Sequence, residues 1–266
     1  MQIATATTDF LSVSELAGDE VTAEQLERHA RRYYWAGNYC HAKDVLEVAC
    51  GTGQGVGYIA SIARSVSAGD YSNRLLEIAH RHYGERFSFR QFDAHRIPFA
   101  DESFDVLLIF EALYYLADAD KFFRESRRVL RPGGRLLIAT ANKDLFDFNP
   151  SPFSTRYLGV VELAEALRRH GFTTEFFGDT PINGVSTRQR LLRPVKAAAA
   201  RLGFIPKSMN GKKLLKRLVF GRLVTMPPEI TAETGQYIDP TPLPTGTPDR
   251  KHKVIFCAAC LAPSVR

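Results

Sequence analysis

The hydrophobic and polar positions along the chain follow helical spacing in some stretches and form short apolar runs in others. Residues 22–41 have helical spacing, and Thr22 with Gln25 three residues later predicts a capping box at the start of this helix. The apolar run at 43–50 then predicts a buried strand that leads directly into a glycine-rich turn. We therefore expect an N-terminal helix followed by the first strand of a sheet.

Further along, apolar runs alternate with segments of helical spacing, with about one strand every 20–30 residues. The runs predict strands at 65–71, 87–92, 105–110, 135–141 and 173–177 and one from 252 onward, and the intervening spacing predicts helices at 54–64, 73–83, 118–129 and 160–170. This alternation indicates a parallel α/β sheet, and right-handed crossovers place helices on both of its faces. The sequence thus favours a doubly wound α/β fold.

About 70 residues separate the last two predicted strands, which is too long for a simple loop. They include a basic segment, residues 186–222, with eleven Lys or Arg and no Asp or Glu in a chain of net charge +6. Such a segment attracts anions, although a solvated helical face without a ligand explains it equally well. Two stretches inside the interval, 187–202 and 211–218, predict helices. We expect four parts: an N-terminal helical cap (1–43), the core (44–180), an inserted basic substrate or lid region (181–251), and the last core strand with a tail (252–266).

Length and composition are those of an ordinary globular protein. At 266 residues, with 45% hydrophobic and 24% charged residues, the chain fits one large domain or a core domain with an insertion. A chain of this length needs no disulfide or metal to fold. No apolar run is long enough to span a membrane, and the N-terminus lacks the features of a signal peptide, so we expect a cytoplasmic protein.

Two cysteines, Cys257 and Cys260, form a C-x-x-C motif, which in other settings binds a metal or has redox chemistry. Here the sequence has no second such pair, and the motif lies inside the apolar run of the last strand. Residues three apart in a strand point to opposite faces. We therefore interpret both cysteines as small core residues and expect no metal site.

Polar residues stand where the predicted strands end. Gly51 and Gly53 form the turn after the first strand, and Asp70, Asp93 and Glu111 stand at or just after the ends of the next three. In a doubly wound sheet, ligands bind beyond the carboxyl ends of the strands. These residues should therefore meet around one ligand.

The glycine turn does not fit a dinucleotide cofactor. Such a site would need a third glycine three residues after Gly53, and that position is Val56. The frame that begins at Gly55 has the right spacing, but it lies inside the following helix, where it cannot hold a pyrophosphate. The sequence therefore argues against a nicotinamide or flavin cofactor.

Four segments together resemble a known family. They are VLEVACGTGQG, SAGDYS, FDAHRIPFADESFDVLLIFEALYYL and RVLRPGGRLLIAT, and they cover roughly residues 44–141. In this order and spacing they resemble the class I S-adenosylmethionine-dependent methyltransferases. The resemblance implies a Rossmann-like, seven-stranded, doubly wound sheet with an antiparallel last strand, and it implies S-adenosylmethionine as the cofactor. The chain departs from the family at Ala49, where a glycine is usual.

The resemblance also implies roles for individual positions. Ala49, Gly51 and Gly53 should let the backbone approach the amino-acid half of the cofactor, because a larger side chain would collide or forbid the required φ. Asp70 should accept hydrogen bonds from both ribose hydroxyls. The other implied cofactor residues are Tyr71 on the adenine, Asp93 and the amide of Ala94 at the adenine amino group, the carbonyl of Phe110 at the ammonium, and Glu47 and Cys50 in and beside the turn.

Several of these residues have a plain structural alternative. Asp70 and Asp93 could cap the segments that follow them, and Tyr71 could be a surface aromatic residue. Glu47 could hold the amides of the turn instead of touching the cofactor. The further tyrosines of the first helix, Tyr33 and Tyr34, could close over the cofactor or pack in the core.

Methyl transfer is an in-line displacement by a substrate nucleophile, so alignment matters more than covalent chemistry by the protein. Glu111, Tyr114 and Tyr115 follow the fourth strand and are the residues predicted nearest to the methyl group, with Glu111 as a hypothetical general base. An N-P-P-Y type signature is absent there, which argues against methylation of DNA, rRNA adenine or protein glutamine. His95 is interpreted as structural. The nearby loop residues without an assigned role are Asp144, Asp147 and Ser154.

These observations lead to one hypothesis and several alternatives. The hypothesis is a methyltransferase that acts by O- or N-methylation on a small, anionic metabolite or on a sugar or glycan intermediate. The basic segment suggests the anion, and its lack of interleaved aromatic residues disfavours nucleic acid. The alternatives are an RNA methyltransferase, a non-catalytic cofactor-binding regulator, and a protein that meets anionic lipid surfaces. The oligomeric state stays open.

Overall fold

The structure is a computed structural model that describes residues 10–182 and 223–262. Its strands are β1 (Glu20–Thr22), β2 (Asp44–Val48), β3 (Ser65–Asp70), β4 (Phe89–Gln91), β5 (Phe104–Phe110), β6 (Leu130–Ala141), β7 (Phe172–Pro181), β8 (Leu223–Thr225), β9 (Thr241–Leu243) and β10 (His252–Leu261). Its helices are α1 (Ala23–Cys40), α2 (Val56–Ala60), α3 (Asn73–Tyr83), α4 (Ala119–Val129) and α5 (Val160–Arg169), with short 3-10 turns at Phe10–Ser12 and Leu113–Tyr115.

Eight strands form the central sheet in the order β4-β3-β2-β5-β6-β10-β7-β9. The first five pair in parallel, whereas β10 lies antiparallel between β6 and β7. The predicted doubly wound sheet with an antiparallel last strand is therefore confirmed. Strand β9 adds an eighth strand at the edge, antiparallel to β7.

The central strands are apolar along their length because helices cover both faces of the sheet. In β5, Leu107 and Ile109 belong to one apolar cluster, and Val106 and Leu108 belong to the cluster on the opposite face. Helix α1 covers this second face, where Trp35 stacks on a phenylalanine of β10. The alternating burial fixes the strand register, and with it the positions of the residues at the carboxyl ends of the strands.

Helix α1 begins with only half of the predicted capping box. Thr22 accepts a hydrogen bond from the backbone N–H of Gln25 at 3.1 Å. The side chain of Gln25 instead donates to Glu15 at 2.7 Å, in the segment before the helix. On its other side, α1 is joined to β7 by a buried ion pair in which Arg31 Nε donates to Asp179 Oδ1 at 2.9 Å. The helix is thus fixed at both the N-terminal segment and the sheet.

The described part of the predicted insertion packs on the core. Strand β8 pairs with β1, with Leu223 opposite Thr22. The residues that follow, 226–231, form what we call the strap, which crosses the N-terminal end of α2. Its side chains Met226 and Ile230 are fully buried. The strap therefore belongs to the same packed body as the sheet.

The basic segment 186–222 and the two helices predicted within it lie outside the described residues. In the part of the chain that the structure describes, no helix is long and apolar enough to cross a membrane. Of the two motif cysteines, Cys257 is buried in the core, where burial raises the pKa of its thiol, and Cys260 is partly exposed.

Candidate functional site

A cavity of about 670 Å³ opens at the carboxyl ends of β2, β3 and β5. This volume is in the range of small-molecule sites. Strand order reverses on either side of β2, so the cavity lies at the switch point of the sheet. The predicted site residues that line it are Glu47, Ala49, Cys50, Gly51, Asp70, Tyr71, Asp93, Ala94, Phe110, Glu111, Tyr114 and Tyr115.

The glycine turn has left-handed backbone at Ala49 (φ 57°), Gly51 (φ 59°) and Gly53 (φ 75°). A Cβ built on Gly51 meets no described atom within 4 Å, because this residue faces the cavity. A Cβ on Gly53 would instead lie 2.8 Å from the ring of Phe89. Both the left-handed φ of Gly53, as expected for the turn, and its packing against Phe89 therefore disfavour a side chain at this position.

Asp70 is buried at the end of β3, and each of its carboxylate oxygens accepts one backbone hydrogen bond. Gly51 N donates to Oδ2 at 2.9 Å, and Ser72 N donates to Oδ1 at 2.8 Å. Burial raises the pKa of Asp70, and these amide bonds oppose that shift. Since each oxygen has a second lone pair, the same carboxylate can fix the turn and still accept from a diol.

Glu47 is buried beneath the turn, and Tyr33 of α1 donates its hydroxyl to Oε1 at 2.8 Å. The other oxygen, Oε2, is buried and lacks a hydrogen-bond partner among the residues described. Burial raises the pKa of this carboxyl to about 7. The turn amide of Gly51 goes to Asp70, so the interpretation that Glu47 holds this amide is wrong.

Beyond β4, the cavity wall is formed by Asp93, Ala94 and His95, with Tyr71 opposite. Asp93 Oδ1 accepts from the backbone N–H of His95 at 2.9 Å and lies 2.6 Å from the imidazole Nδ1. His95 Nε2 accepts from the backbone N–H of Asp118 at 3.2 Å, which requires the proton on Nδ1. His95 thus ties the Asp93 loop to the start of α4, in agreement with its predicted structural role.

On the other side, Glu111 follows β5 in a left-handed conformation (φ 52°). Its Oε2 accepts from the hydroxyl of Tyr114 at 3.1 Å, and burial raises its pKa. Tyr114 stacks on Tyr157 with ring centroids 4.2 Å apart. Tyr115 lies 2.6 Å from Ser151 through its hydroxyl. This wall is therefore aromatic, with a single carboxyl group.

The N-terminal segment covers the cavity, which the sequence did not predict. Phe10 and Ser14 line it, and the Phe10 ring contacts that of Tyr115 at 5.5 Å. Glu15 lies 2.8 Å from His29 Nδ1 on α1. Burial alone would raise the pKa of Glu15. Its hydrogen bond with His29 and the charges of His29 and Arg32 outweigh burial and keep the pKa well below the usual range. The sequence could not have identified this segment as part of the site, because it does not show that Glu15 packs against His29.

Of the first-helix tyrosines, Tyr33 lines the cavity, whereas Tyr34 donates its hydroxyl to the strap carbonyl of Thr231 at 2.6 Å. The loop after β6 contains the three residues to which the sequence assigned no role, and none of them lines the cavity. Asp144 pairs with Lys143 at 3.1 Å, and Ser154 donates to the carbonyl of Ser151 at 2.6 Å. Neither these two nor Asp147 is among the residues that line the cavity.

Comparison with known proteins identifies the core. Residues 46–138 match the family model described as a methyltransferase domain. A probable S-adenosylmethionine-dependent methyltransferase of Mycolicibacterium smegmatis is 37% identical over 152 residues, which are 56% of this chain and 59% of that protein. The O-methyltransferase cnsE of Penicillium expansum is 31% identical over 176 residues, 60% of this chain and 59% of its own length.

A solved structure extends the likeness in fold. A methyltransferase from Thermotoga maritima, described as a possible histamine N-methyltransferase, matches with a TM-score of 0.56 at 16% identity and covers 89% of this chain and 91% of that one. By contrast, the chain spans little more than half the length of the curated relatives that it matches by sequence.

Proposed function

Since this chain belongs, through residues 46–138, to the class I S-adenosylmethionine-dependent methyltransferases, we propose that it transfers a methyl group to a small, anionic metabolite or to a sugar or glycan intermediate. The observation that supports this most strongly is the convergence of the turn, Asp70, Asp93 and Glu111 on one cavity. O-methylation or N-methylation fits this site.

The residues present fit S-adenosylmethionine. Gly51 leaves open space beside the turn, and the Asp70 oxygens keep lone pairs for the ribose hydroxyls. Three buried polar atoms of cavity-lining residues lack partners within the described ranges: Glu47 Oε2, Arg32 Nε and Thr52 Oγ1. An amino-acid group would satisfy the first two, because its ammonium donates to Glu47 and its carboxylate accepts from Arg32.

The adenine end fits as well. Tyr71, 53% exposed, lines the cavity, and both side-chain hydrogen bonds of Asp93 to described residues use Oδ1. We assign Tyr71 to the adenine face, Asp93 Oδ2 and the amide of Ala94 to the adenine edge, and the carbonyl of Phe110 to the ammonium. Cys50 lies beside the turn with a buried thiol whose pKa burial raises, so it contributes shape and not a nucleophile.

When bound, the cofactor supplies a methyl group on a sulfonium, which is ready to leave. The protein then has to align the acceptor and remove its proton. We assign removal of the acceptor proton to Glu111, because burial raises its pKa and a carboxylate of higher pKa is a stronger base. Tyr114 positions this carboxyl through its hydrogen bond, and Tyr115 closes the wall beside it. Alignment alone can be worth effective molarities of roughly 10⁵ M or more.

The acceptor class is inferred from charge. The basic segment 186–222 has no acidic residue, and it joins the described core through β8 and the strap next to the cavity. The fungal relative is named an O-methyltransferase, which is consistent with an oxygen acceptor. A small anion or glycan fits these features better than RNA does, because few aromatic residues alternate with the basic ones.

The proposal is tested by calorimetric titration with S-adenosylmethionine and S-adenosylhomocysteine. We expect micromolar binding of both to the natural sequence. Asp70→Ala should weaken binding by about 10–100-fold, because it removes charge-assisted hydrogen bonds of about 1.5–3 kcal/mol. Asp101→Ala is the control, since this exposed aspartate pairs with Arg128 away from the cavity.

Asp70 also holds the amides of Gly51 and Ser72, so each variant needs a thermal unfolding curve beside its binding isotherm. Asp70→Asn keeps the size of the side chain, and its affinity for the cofactor should fall between those of the natural sequence and Asp70→Ala. An absence of binding to the natural sequence up to millimolar cofactor would contradict the proposal. Binding of the cofactor without methyl transfer to any anionic metabolite or glycan would favour a regulator instead.

A further inference from the structure

We propose that Arg28 of α1 is the residue that binds the acceptor, and that the acceptor presents a single negative charge, a carboxylate, to it. This inference rests on the proposed function, because it assigns the acceptor side of the same cavity. Arg28 lines the cavity together with Glu111, and its charge contributes to lowering the pKa of that carboxyl. Its guanidinium thus faces the region where the acceptor must lie.

The other cations of the cavity already have partners. Arg32 Nη2 lies 2.6 Å from His29 Nδ1, and Arg32 also pairs with Glu15 at 3.8 Å. Lys253 pairs with Glu24, and the remaining lining histidine, His95, bonds to Asp93. For Arg28, the residues that the structure describes supply no hydrogen bond or ion pair. A guanidinium that lines a cavity without a partner among the described residues is available to an anionic ligand.

Arg28 differs from Arg32 in its partners and not in the wall that it occupies. Both side chains line the cavity, and the charges of both act on the carboxyl of Glu111. Arg32 lies one helical turn further along α1 and is engaged by His29 and Glu15, with only its Nε left unpartnered among the described residues. We therefore assign the Arg32 Nε to the cofactor carboxylate and the whole guanidinium of Arg28 to the acceptor.

The charge of the cavity favours an acceptor with one negative charge. Five carboxyl groups line the cavity: Glu15, Glu47, Asp70, Asp93 and Glu111. Two of the lining cations are already paired, Arg32 with Glu15 and Lys253 with Glu24. A phosphate dianion or a nucleotide would be repelled by these groups, whereas one carboxylate is balanced by the guanidinium of Arg28. A bidentate carboxylate also matches the planar fork of arginine. The substrate class is therefore a small hydroxy or amino monocarboxylic acid, with its nucleophile directed at Glu111.

The test uses protein saturated with S-adenosylhomocysteine and three probes that share one ring, 4-hydroxybenzoate, 4-hydroxybenzamide and 4-hydroxyphenyl phosphate. A ring suits the wall formed by Tyr114 and Tyr115. We expect calorimetry to show that the carboxylate binds at least tenfold more tightly than the amide and no more weakly than the phosphate. Arg28→Gln should remove the preference for the carboxylate, and Arg28→Lys should keep part of it.

Arg168→Gln is the matched control, because it removes an exposed arginine at the end of α5, outside the cavity. It should leave the preference unchanged. The inference is overturned if the amide binds the natural sequence as well as the carboxylate does, or if the preference survives in Arg28→Gln. It is also overturned if Arg28→Gln weakens S-adenosylhomocysteine itself by tenfold, since Arg28 would then hold the cofactor carboxylate. Failure of the natural sequence to bind S-adenosylhomocysteine would overturn the proposed function and this inference together.

Discussion

At the scale of single residues, Ala49 has a backbone conformation that its side chain disfavours. Its φ of 57° is left-handed, and such a conformation costs a residue other than glycine roughly 1–2 kcal/mol. Ala49→Gly removes this strain at the expense of a more flexible unfolded chain, so we expect a net gain of up to about 1 kcal/mol in the free energy of unfolding. Urea denaturation measures it.

The control for this change is Ala164→Gly in the middle of α5, where glycine should destabilise by about 1 kcal/mol. The two substitutions thus have opposite expected signs for the same change in composition. A loss of stability at Ala49 equal to that at Ala164 would show that the turn gains nothing from glycine.

Glu47 makes stability depend on pH. Its pKa is raised by burial from the ordinary 4.5 to about 7, so between these values the folded protein keeps a proton that the unfolded chain has lost. Stability should therefore fall as pH rises from about 4.5 to about 7 and stay lower above it. Glu47→Gln removes this effect, so it should gain stability over the natural sequence between pH 5 and pH 8, by on the order of 1–3 kcal/mol.

Urea unfolding of the natural sequence and of Glu47→Gln is measured at pH 5 and at pH 8. The change in unfolding free energy between these pH values is then compared for the two proteins, and this double difference cancels the contribution of the other titrating groups. Glu165→Gln, on the exposed side of α5, controls for the loss of one negative charge. Two results would contradict a pKa of Glu47 that burial raises. One is a double difference near zero for Glu47→Gln, and the other is an equally large double difference for Glu165→Gln.

Residue identities in the site were predictable because the strand ends are local features of the sequence. The turn, Asp70 and Asp93 each directly follow an apolar run, and all line the cavity. Partners distant in the chain were not predictable. The hydrogen bond from Tyr33 to Glu47 and the position of Arg28 in the cavity wall depend on how α1 lies against the sheet, which no spacing in the sequence specifies.

At the scale of elements, the strap clamps the turn through Gln54. The side-chain amide of Gln54 donates to the carbonyl of Pro227 at 3.0 Å, and its backbone carbonyl accepts from Ile230 N at 2.7 Å. Glu229 adds a bidentate ion pair with Arg86 on the far side of α3, at 3.0 and 3.2 Å. The strap is therefore fixed to the loop that forms the cofactor side of the cavity.

Removing this clamp should affect both stability and binding. Gln54→Ala removes the donor to a partly buried carbonyl of the strap, which should lower the free energy of unfolding by about 0.5–1.5 kcal/mol. Since Gln54 also lines the cavity next to the turn, S-adenosylhomocysteine should bind several-fold more weakly. Thermal unfolding and calorimetry measure the two effects, and Glu233→Ala, exposed just after the strap, is the control. Loss of stability without any change in affinity would mean that the strap does not position the turn.

Elements of ordinary length were predicted well, and short paired strands were not. The helical spacing of apolar residues predicted a helix at 73–83, and α3 has these bounds in the structure. The RPGG sequence predicted a turn before the fifth strand, but β6 begins at Leu130 and includes these residues with an irregular register opposite Phe104. Strands β1 and β8, three residues each, form only because two distant segments meet, so local periodicity does not reveal them.

At the scale of the whole molecule, the cavity is built from parts that are far apart in the chain. Its wall runs from Phe10 in the N-terminal segment to Val254 in the last strand. The family match covers only the middle of this span, residues 46–138. The cavity residues that come from α1 and β10 therefore lie outside the family match.

The two points where the basic segment joins the described body are both fixed. On one side Ile182 donates its backbone N–H to Lys251 at 2.8 Å, and on the other Leu223 pairs with Thr22 in the small sheet. Both attachments use backbone groups, so neither depends on a particular side chain within residues 183–222. The described body therefore holds the two ends of this stretch by itself, whatever sequence lies between them.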